Sequence, residues 1–267
     1  MTASPALSIE KQFDEKSARK VEAIYLTPDV AAQREKVLEL LASVSGERVL
    51  DIGCGPGLLA CELGKRVGAR GKVHAIDLSE PMLGLARTRC AGNDRIRIQR
   101  ADAAALPFAD GEADAAVITQ VYEYLPDVAL ALKELARVLK PGARALIMDT
   151  DWESAVWAST DDARMRKVID TWNEHVPNPR LPRALPTLLR EAGFTLAATH
   201  VLPLLNIGRC EHTYSAGMTG VIAGFVAGRN GITADEASDW RADLLARSDD
   251  GSYFFSLNRY LFVANRR

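Results

Sequence analysis

Three aspartates, each placed where an apolar run ends, are the residues of this sequence best suited to holding a ligand. Asp51 lies near the end of the first run, Asp77 ends the second, and Asp102 follows the third. The interval between the first two is that of one βαβ unit. A carboxylate at such a point can attract an ammonium group, accept hydrogen bonds from both hydroxyls of a ribose, or accept one from an adenine amine. Ammonium, ribose and adenine are the parts of S-adenosylmethionine, so the spacing predicts a site for that sulfonium nucleoside.

The glycine-rich turn after Asp51 favours a ligand that has no pyrophosphate. Gly53, Gly55 and Gly57 permit a positive φ and let the backbone approach a bound molecule closely. A dinucleotide fingerprint would need a glycine at the sixth position counted from Gly53, and this chain has Leu58 there. The Gly-Lys-Ser/Thr of a P-loop is missing from the turn as well. A nicotinamide-dependent oxidoreductase is therefore the weaker alternative.

The chain from about residue 38 to residue 149 resembles the class I S-adenosylmethionine-dependent methyltransferases. Four motifs of that family occur in order and at the expected intervals, over residues 50–57, 76–79, 101–103 and 137–142. The Leu106-Pro107-Phe108 segment is similar to the quinone-methyltransferase branch, although the N-terminal signature of that branch is absent around residues 25–34. The resemblance implies in-line transfer of a methyl group to a small acceptor, such as an aromatic compound or a specialised metabolite.

The resemblance also assigns parts of the cofactor to particular residues. It implies that Asp77 holds the ribose hydroxyls and that Leu78 and Met82 cover the adenine face. The methionine part would lie against the glycine turn, and Asp102 with Ala103 would meet the adenine edge. The full implied cofactor set is Tyr25, Arg34, Asp51, Gly53, Gly55, Gly57, Asp77, Leu78, Met82, Asp102, Ala103 and Gln120.

An N-terminal segment commonly folds over the cofactor in such methyltransferases, and Tyr25 and Arg34 are the candidates here. A guanidinium matches a carboxylate bidentately, which suits Arg34 to the methionine carboxylate. A solvated arginine on the surface of a helix is an equal alternative.

Apolar runs and helical patterns alternate along the middle of the chain, which predicts an α/β fold with parallel strands covered on both faces. We expect a Rossmann-like, doubly wound, seven-stranded sheet, mostly parallel with an antiparallel last strand. The length suits one methyltransferase domain over residues 1–267. Residues 1–8 are expected to be disordered. The predicted parts are a helical arm (1–45), a cofactor-binding core (46–150), lid or substrate elements (151–192 and 206–250) and the last strands (195–204 and 253–265).

An aromatic-rich segment after the fifth strand is predicted to form a helical lid that holds the acceptor. Tryptophan faces suit a flat aromatic or prenyl-like molecule. The alternative is that these rings only pack the lid onto the sheet. The predicted substrate pocket consists of Tyr122, Tyr124, Asp151, Trp152, Trp172 and His175.

The sequence requires no particular catalytic residue. A sulfonium methyl group is already electrophilic, so alignment of the acceptor and exclusion of water supply most of what the reaction needs. An oxygen or nitrogen acceptor could still need a base. The candidates are His175, Tyr124, Glu123 and His212, with a structural role as the alternative for each histidine. A protein that binds S-adenosylmethionine without catalysis is the third functional hypothesis.

Charge and composition narrow the classes of partner and of cellular location. The formal net charge of −2 gives no general attraction to nucleic acid. Four cysteines without CxxC spacing fit a reducing cytoplasm, and no metal site is expected. No run reaches 18 consecutive apolar residues, and the first residues carry acids where a signal peptide would be apolar, so neither a membrane span nor export is expected. Glycines at 217, 220, 224 and 228 form a small-residue stripe that would allow tight helix packing, within the fold or across a homodimer.

Overall fold

The computed structural model describes residues 14–267. The disorder expected for residues 1–8, and the first part of the helical arm expected over 1–45, lie outside this range. The described chain begins with helix α1, Glu15–Tyr25, where the Asp14 carboxylate caps the first turn by accepting a hydrogen bond from the Ser17 amide at 2.8 Å. Helix α2, Pro28–Leu41, follows, with proline at its first position as the sequence predicts. Within residues 14–267, no helix is both long enough and apolar enough to cross a bilayer.

One mixed sheet forms the centre of the molecule. Its strands are β1 (Arg48–Ile52), β2 (Lys72–Asp77), β3 (Ile96–Arg100), β4 (Ala113–Thr119), β5 (Leu139–Thr150), β6 (Val156–Trp157), β7 (Phe194–Gly208) and β8 (Tyr253–Arg266). The first five pair in parallel in the order β3-β2-β1-β4-β5, and β8 then joins β5 in the antiparallel sense. The chain order therefore reverses between β1 and β4, which creates a crevice at the carboxyl ends of these strands.

The remaining helices cover both faces of this sheet and extend its far end. They are α3 (Leu58–Arg66), α4 (Glu80–Arg89), α5 (Val128–Val138), α6 (Asp162–Trp172), α7 (Leu185–Glu191), α8 (Tyr214–Val226) and α9 (Ala234–Asp249). Alternate residues of β1 enter opposite cores: Val49 packs with α2, α3 and α4, whereas Leu50 packs with α5 and α7. The fold is thus the doubly wound, Rossmann-like α/β arrangement that the sequence predicts.

The far end of the sheet differs from the prediction in two respects. An eighth strand of two residues, β6, pairs with Phe255 and Ser256 of β8. It lies along the same edge of β8 that pairs with β5 nearer the C-terminus. The last two long strands also extend further than predicted, because β7 and β8 pair from Phe194 with Arg266 to Gly208 with Tyr253. A long antiparallel ladder satisfies the backbone of both strands along this length, which local sequence patterns do not show.

A third hydrophobic core lies away from the sheet centre, and we call it the lid core. It gathers all four tryptophans with residues from α6, α8 and α9 and the first half of β8. Trp157 contacts Phe255 and Trp240, with ring centroids 4.3 and 5.9 Å apart. The helical elements after β5 therefore pack around a core of their own.

Two of the four cysteines are bonded to each other. Cys61 of α3 and Cys90, at the end of α4, form a disulfide, while Cys54 and Cys210 are buried free thiols. The number and spacing of the cysteines in the sequence do not indicate this pair, because it is the packing of α3 against α4 that brings together two residues 29 positions apart.

Candidate active site

The main cavity opens at the carboxyl ends of the parallel strands, where the strand order reverses. It holds about 1140 Å³ of space, including the part open to solvent. Its walls come from the glycine turn after β1, the end of β2, the loops after β3 and β4, helices α1 and α2, and strands β5 and β8. A crevice at this place is where open α/β sheets bind their ligands.

The glycine turn forms one wall of this cavity. The amides of Gly53 and Cys54 both donate to the Ile76 carbonyl, at 2.8 and 2.9 Å, which fixes the turn against the end of β2. Gly53 has a φ of +71°, and a Cβ at this position would lie 2.2 Å from Cγ2 of Val121. Gly55, with a φ of +50°, lines the cavity and has no atom within 4 Å of the position of a Cβ. The turn thus leaves room for a ligand directly over its backbone.

Gly57 has a different role from its neighbours. It precedes the first residue of α3 and does not line the cavity, and a Cβ there would lie 2.9 Å from Ala86 of α4. Its assignment to the cofactor set is corrected accordingly: the missing side chain lets two helices pack closely.

Asp77 is held at the cavity wall by two backbone amides. Its Oδ2 accepts a hydrogen bond from Gly55 at 2.9 Å, and its Oδ1 accepts one from Ser79 at 2.8 Å. Burial raises the pKa of Asp77, and these hydrogen bonds oppose the shift. Each oxygen keeps a lone pair for a further donor. Leu78 and Met82 line the same part of the cavity, as the predicted adenine site requires.

Asp51 is buried behind this wall. Its Oδ2 has no hydrogen-bond partner, and burial beside Asp77 raises its pKa to about 7. Asp51 does not itself line the cavity, so its direct contact with an ammonium group stays a prediction. The orphaned carboxylate oxygen, the bare backbone at Gly55 and the bidentate acceptor Asp77 together fit the polar parts of S-adenosylmethionine.

Asp102 and Ala103, the residues predicted to meet the adenine edge, differ in whether they line the cavity. Ala103 is part of the cavity wall, but Asp102 is exposed, is absent from the wall, and accepts a hydrogen bond from the Ala104 amide at 2.9 Å. Its assignment to the adenine edge is corrected, because this bond keeps the carboxylate in a local turn. Ala101 and Ala103, on either side of Asp102, line the cavity.

Helices α1 and α2 bring both predicted arm residues to the cavity. Tyr25 and Arg34 line it, and Arg34 Nη1 donates to the Tyr25 carbonyl at 3.1 Å. Gln120 lines the opposite side with a φ of +56°, and its side-chain amide donates to Thr150 Oγ1 at 3.3 Å. The contact of Arg34 with the methionine carboxylate stays a prediction.

Most of the predicted substrate pocket is not part of the cavity. Trp152, Trp172 and His175 belong to an aromatic cluster of the lid core, where the His175 ring stacks on Trp172 at 3.7 Å. Asp151 forms a bidentate ion pair with Arg183, at 2.8 and 3.0 Å. None of these four residues lines the cavity. The burial of Trp152 and Trp172 in the lid core agrees with the alternative that these rings serve for packing.

Tyr122, predicted for the substrate pocket, and His212, a catalytic candidate, both lie outside the cavity wall, so these two predictions are corrected. Tyr122 is fully buried beneath the sheet surface among the residues packed against α5 and α7. His212 lies in an exposed turn before α8, away from the cavity. Burial lowers the pKa of His175 to about 3, so its ring is neutral at physiological pH and suited to packing rather than proton transfer.

The remaining catalytic candidates are neighbours in sequence and differ in exposure to the cavity. Tyr124 lines it, and burial raises the pKa of its hydroxyl. Glu123 is fully buried behind it, where its Oε2 accepts a hydrogen bond from the Thr150 amide at 3.0 Å. Burial raises the pKa of Glu123 to about 7, and that of the adjacent Asp149 well above its ordinary value. Among the described residues, no group of His, Cys, Asp or Glu side chains is arranged to hold a metal ion.

Two polar residues of the cavity wall, Gln33 and Arg259, are not among the predicted site residues. Arg259 of β8 is fully buried, and its Nη1 donates to Oε1 of Gln33 on α2. A signal for Arg259 exists in the sequence. In the alternating strand it shares the buried face with Tyr253, Phe255 and Leu261, so a charged residue stands in an apolar row.

The fold is similar to that of solved S-adenosylmethionine-dependent methyltransferases, and the cavity lies where such a fold binds its ligand. Residues 50–147 match a family described as a methyltransferase domain. This part of the chain contains the glycine turn, Asp77 and all of the strands β2, β3 and β4.

Comparisons with known proteins agree with this class. The 2-phytyl-1,4-naphtoquinone methyltransferase of Synechococcus elongatus is 45% identical over 111 residues, which are 40% of this chain and 48% of that protein. A phosphoethanolamine N-methyltransferase 2 of Haemonchus contortus, solved with S-adenosylhomocysteine, superposes with a TM-score of 0.61 at 19% identity, over 96% of this chain and 58% of that one. The [4+2]-cyclase SpnF superposes with a TM-score of 0.65 at 18% identity, over 100% and 97% of the two chains. The chain spans about half the length of the curated relatives it matches.

Proposed function

We propose that this protein transfers a methyl group from S-adenosylmethionine to a small organic acceptor bound in the same cavity. The observation that carries the proposal is that one cavity wall contains both kinds of residue that the reaction needs. The glycine turn and Asp77 suit a nucleoside, and Tyr124, Arg259 and apolar side chains of α2 are available to a second molecule. Bound S-adenosylmethionine supplies an electrophilic methyl group attached to a sulfonium leaving group.

The protein's contribution is to position the acceptor and to exclude water. Helices α1 and α2 cover the cavity with Val21, Val30 and Val37, whose apolar surfaces keep the reacting region dry. Alignment of this kind can supply roughly 7–11 kcal/mol of a transfer barrier. Tyr124 is the candidate that can hydrogen-bond an acceptor directly, because it is the one predicted catalytic residue in the cavity wall.

Two measurements test the proposal. Calorimetry should show that S-adenosylhomocysteine binds and that NADH does not, since the turn lacks the sixth-position glycine and presents no pyrophosphate site. Turnover is then measured as S-adenosylhomocysteine formed from S-adenosylmethionine with a panel of phenols, amines, carboxylic acids and quinones. Binding of NADH in place of the nucleoside would support the oxidoreductase. Nucleoside binding without turnover on the whole panel would support a non-catalytic protein, an outcome that fold alone does not exclude because a cyclase shares it.

The quinone branch supplies the first acceptors to try. The 45% identity with the naphtoquinone methyltransferase covers 111 residues, which are 40% of this chain, and the lid elements that follow β5 are the natural place for substrate choice to differ. A small molecule, rather than nucleic acid, is the proposed acceptor class, because the net charge of −2 gives no general pull toward phosphates.

Self-association and location are two further proposals. Strand β7 is at the edge of the sheet and exposes Val201, Leu205 and Ile207 in a row, which supports a homodimer through this strand. Light scattering of wild type and of Leu205→Lys tests it, since the charge should dissociate a dimer.

A reducing cytoplasm is the proposed location, and the redox state of Cys61 and Cys90 in protein isolated under thiol-trapping conditions would decide between it and an oxidising compartment.

A further inference from the structure

Arg259 is a buried cation whose hydrogen-bonding capacity is mostly unused. Its side chain is 0% exposed. Nη1 donates to Gln33, the Tyr214 hydroxyl lies close enough to interact with the guanidinium, and no acceptor has hydrogen-bond geometry with Nε or Nη2. The guanidinium carbon lies 4.8 Å from the ring centroid of Tyr214, so an aromatic face covers the group on one side. An arginine does not lose its proton in a protein, and an unpaired buried charge is costly, so this arrangement calls for an anion.

The two unused nitrogens define what kind of anion fits. Nε and Nη2 form one edge of the guanidinium, the pair that donates two parallel hydrogen bonds to a carboxylate. The remaining edge is already engaged by Gln33, which holds the plane of the group. Among the described residues, no carboxylate oxygen lies within 4.0 Å of the Arg259 guanidinium nitrogens, the limit for an ion pair. Glu123 and Asp149 lie near enough to interact with the charge through space. The protein supplies no bidentate partner of its own.

The position of Arg259 separates it from the cofactor end of the cavity. It pairs with Thr150 at the carboxyl end of β5, and the glycine turn follows β1, three strands away in the sheet. At about 4.8 Å per strand, this separation is roughly 14 Å. Arg34, on α2 beside Tyr25, is the arginine predicted to hold the methionine carboxylate. Arg259 therefore lies in the region left for the acceptor.

We propose that Arg259 binds a carboxylate of the acceptor through Nε and Nη2, so that the substrate is a small organic acid. This inference rests on the proposed function and names the substrate class for the same site. A neutral quinone or phenol would leave the buried guanidinium without its partner, which would select against such acceptors.

The test uses matched pairs of small probes that differ in charge. Protein saturated with S-adenosylhomocysteine is titrated with acetate and acetamide, and with benzoate and benzamide, at constant ionic strength, and binding is followed by the shift in melting temperature and by calorimetry. We expect the wild type to bind each carboxylate at least tenfold more tightly than its amide. Equal responses to acid and amide would overturn the proposal, and acetate is small enough that shape does not confuse the result.

Four variants locate the effect. Arg259→Met removes the charge at similar volume and should abolish the preference for the acid, whereas Arg259→Lys should keep part of it, because an ammonium lacks the two-pronged edge. Arg266→Met removes an arginine from the same strand, outside the cavity wall, and should retain the preference. Gln33→Glu places a carboxylate beside Arg259 and should weaken acid binding at least tenfold, which tests the proposal even if Arg259→Met does not fold. A preference that survives in both Arg259→Met and Gln33→Glu would overturn it.

The methionine part of the cofactor also carries a carboxylate. The affinity for S-adenosylhomocysteine shows whether Arg259 binds that carboxylate or the carboxylate of the acceptor. If Arg259 binds the methionine carboxylate, Arg259→Met will weaken S-adenosylhomocysteine at least tenfold and leave 5′-methylthioadenosine, which has no carboxylate, unchanged. We expect both nucleosides to bind the variant within threefold of wild type. Failure of S-adenosylhomocysteine to bind the wild type would instead contradict the proposed function, so the two failures are separate.

Discussion

The carboxylate of Asp77 accepts a hydrogen bond from the Gly55 amide at 2.9 Å, which ties the end of β2 to the glycine turn after β1. The two features that the sequence shows as separate motifs are therefore one rigid unit. A ligand that meets the backbone at Gly55 also meets the carboxylate. This contact explains how one cavity can recognise both the ribose and the methionine part of a nucleoside.

Replacing Asp77 should weaken cofactor binding, because ribose hydroxyls lose a charged acceptor. We expect Asp77→Asn to cost about 1–3 kcal/mol in the affinity for S-adenosylhomocysteine measured by calorimetry. Asp102→Asn is the matched control, since its exposed carboxylate lies outside the cavity wall, and it should change the affinity by less than threefold. An equal loss in the two variants would show that the effect is general and not a property of the Asp77 contact.

A side chain at Gly55 should block the ligand without a clash inside the free protein. Gly55→Ala has free space around its Cβ but a φ of +50°, so folding should lose about 1–2 kcal/mol. Gly92→Ala is its control, with a φ of +81°, similar free space and a place in an exposed turn. Both variants should lose similar stability in denaturant unfolding. Only Gly55→Ala should lose cofactor affinity, by at least about tenfold, or about 1.4 kcal/mol; unchanged affinity would remove the turn from the ligand contact.

The free protein should become less stable as the pH rises through neutrality. Burial raises the pKa of Asp51 in the folded state to about 7, above its ordinary value of 3.8. Folding therefore favours the protonated form, and this contribution is present at low pH and lost as the pH rises through about 7. Glu123, with a pKa raised to about 7, acts in the same direction.

Asp51→Asn should reduce this loss, because the amide cannot ionise. We expect its free energy of unfolding to exceed that of the wild type by roughly 4 kcal/mol at about pH 8 and by roughly 1–2 kcal/mol at about pH 5, with little difference only below the unfolded-state pKa. Urea unfolding across this range measures the effect, and a slope remains because Glu123 still titrates. Asp102→Asn, on the surface, should follow the wild-type curve. A wild type that gains stability between these pH values would contradict the raised pKa of Asp51.

The disulfide should contribute measurably to stability when it is formed. Cys61 and Cys90 are 29 residues apart, and closing a loop of this size typically adds about 2–4 kcal/mol. Reduction, Cys61→Ala and Cys90→Ala should each lower the free energy of unfolding by a similar amount. Cys210→Ser, at a buried free thiol, should show no dependence on reductant beyond that of the wild type. Peptide mapping under non-reducing conditions that finds only free thiols would rule the bond out.

The core of the fold and the polar end of the site could be predicted because they depend on local order along the chain. Strand, glycine turn and helix follow one another within residues 48–66, and the next strand ends in Asp77. Parallel strands place their carboxyl ends at one edge, so residues at consecutive strand ends must converge. Asp102 departs from this rule because a short turn after β3 hydrogen-bonds its carboxylate locally.

The acceptor end could not be predicted in the same way. Trp152, Trp172 and His175 have the residue types of a substrate pocket, yet the same types also suit a hydrophobic core, and only the packing of α6, α8 and α9 decides between the two. Arg259 is separated from Gln33 by 226 residues, so no local pattern could join them.

The sequence by itself determined the sheet, the glycine turn and the place of Asp77 at the end of β2, because each depends on the spacing of residues within one or two βα units. The tertiary structure alone decided which aromatic side chains are buried in the lid core and which polar side chains line the cavity. The physical reason is that burial depends on which distant surfaces meet. The closure of α2 over β8 leaves a charged arginine inside the cavity wall with one edge of its guanidinium unpaired.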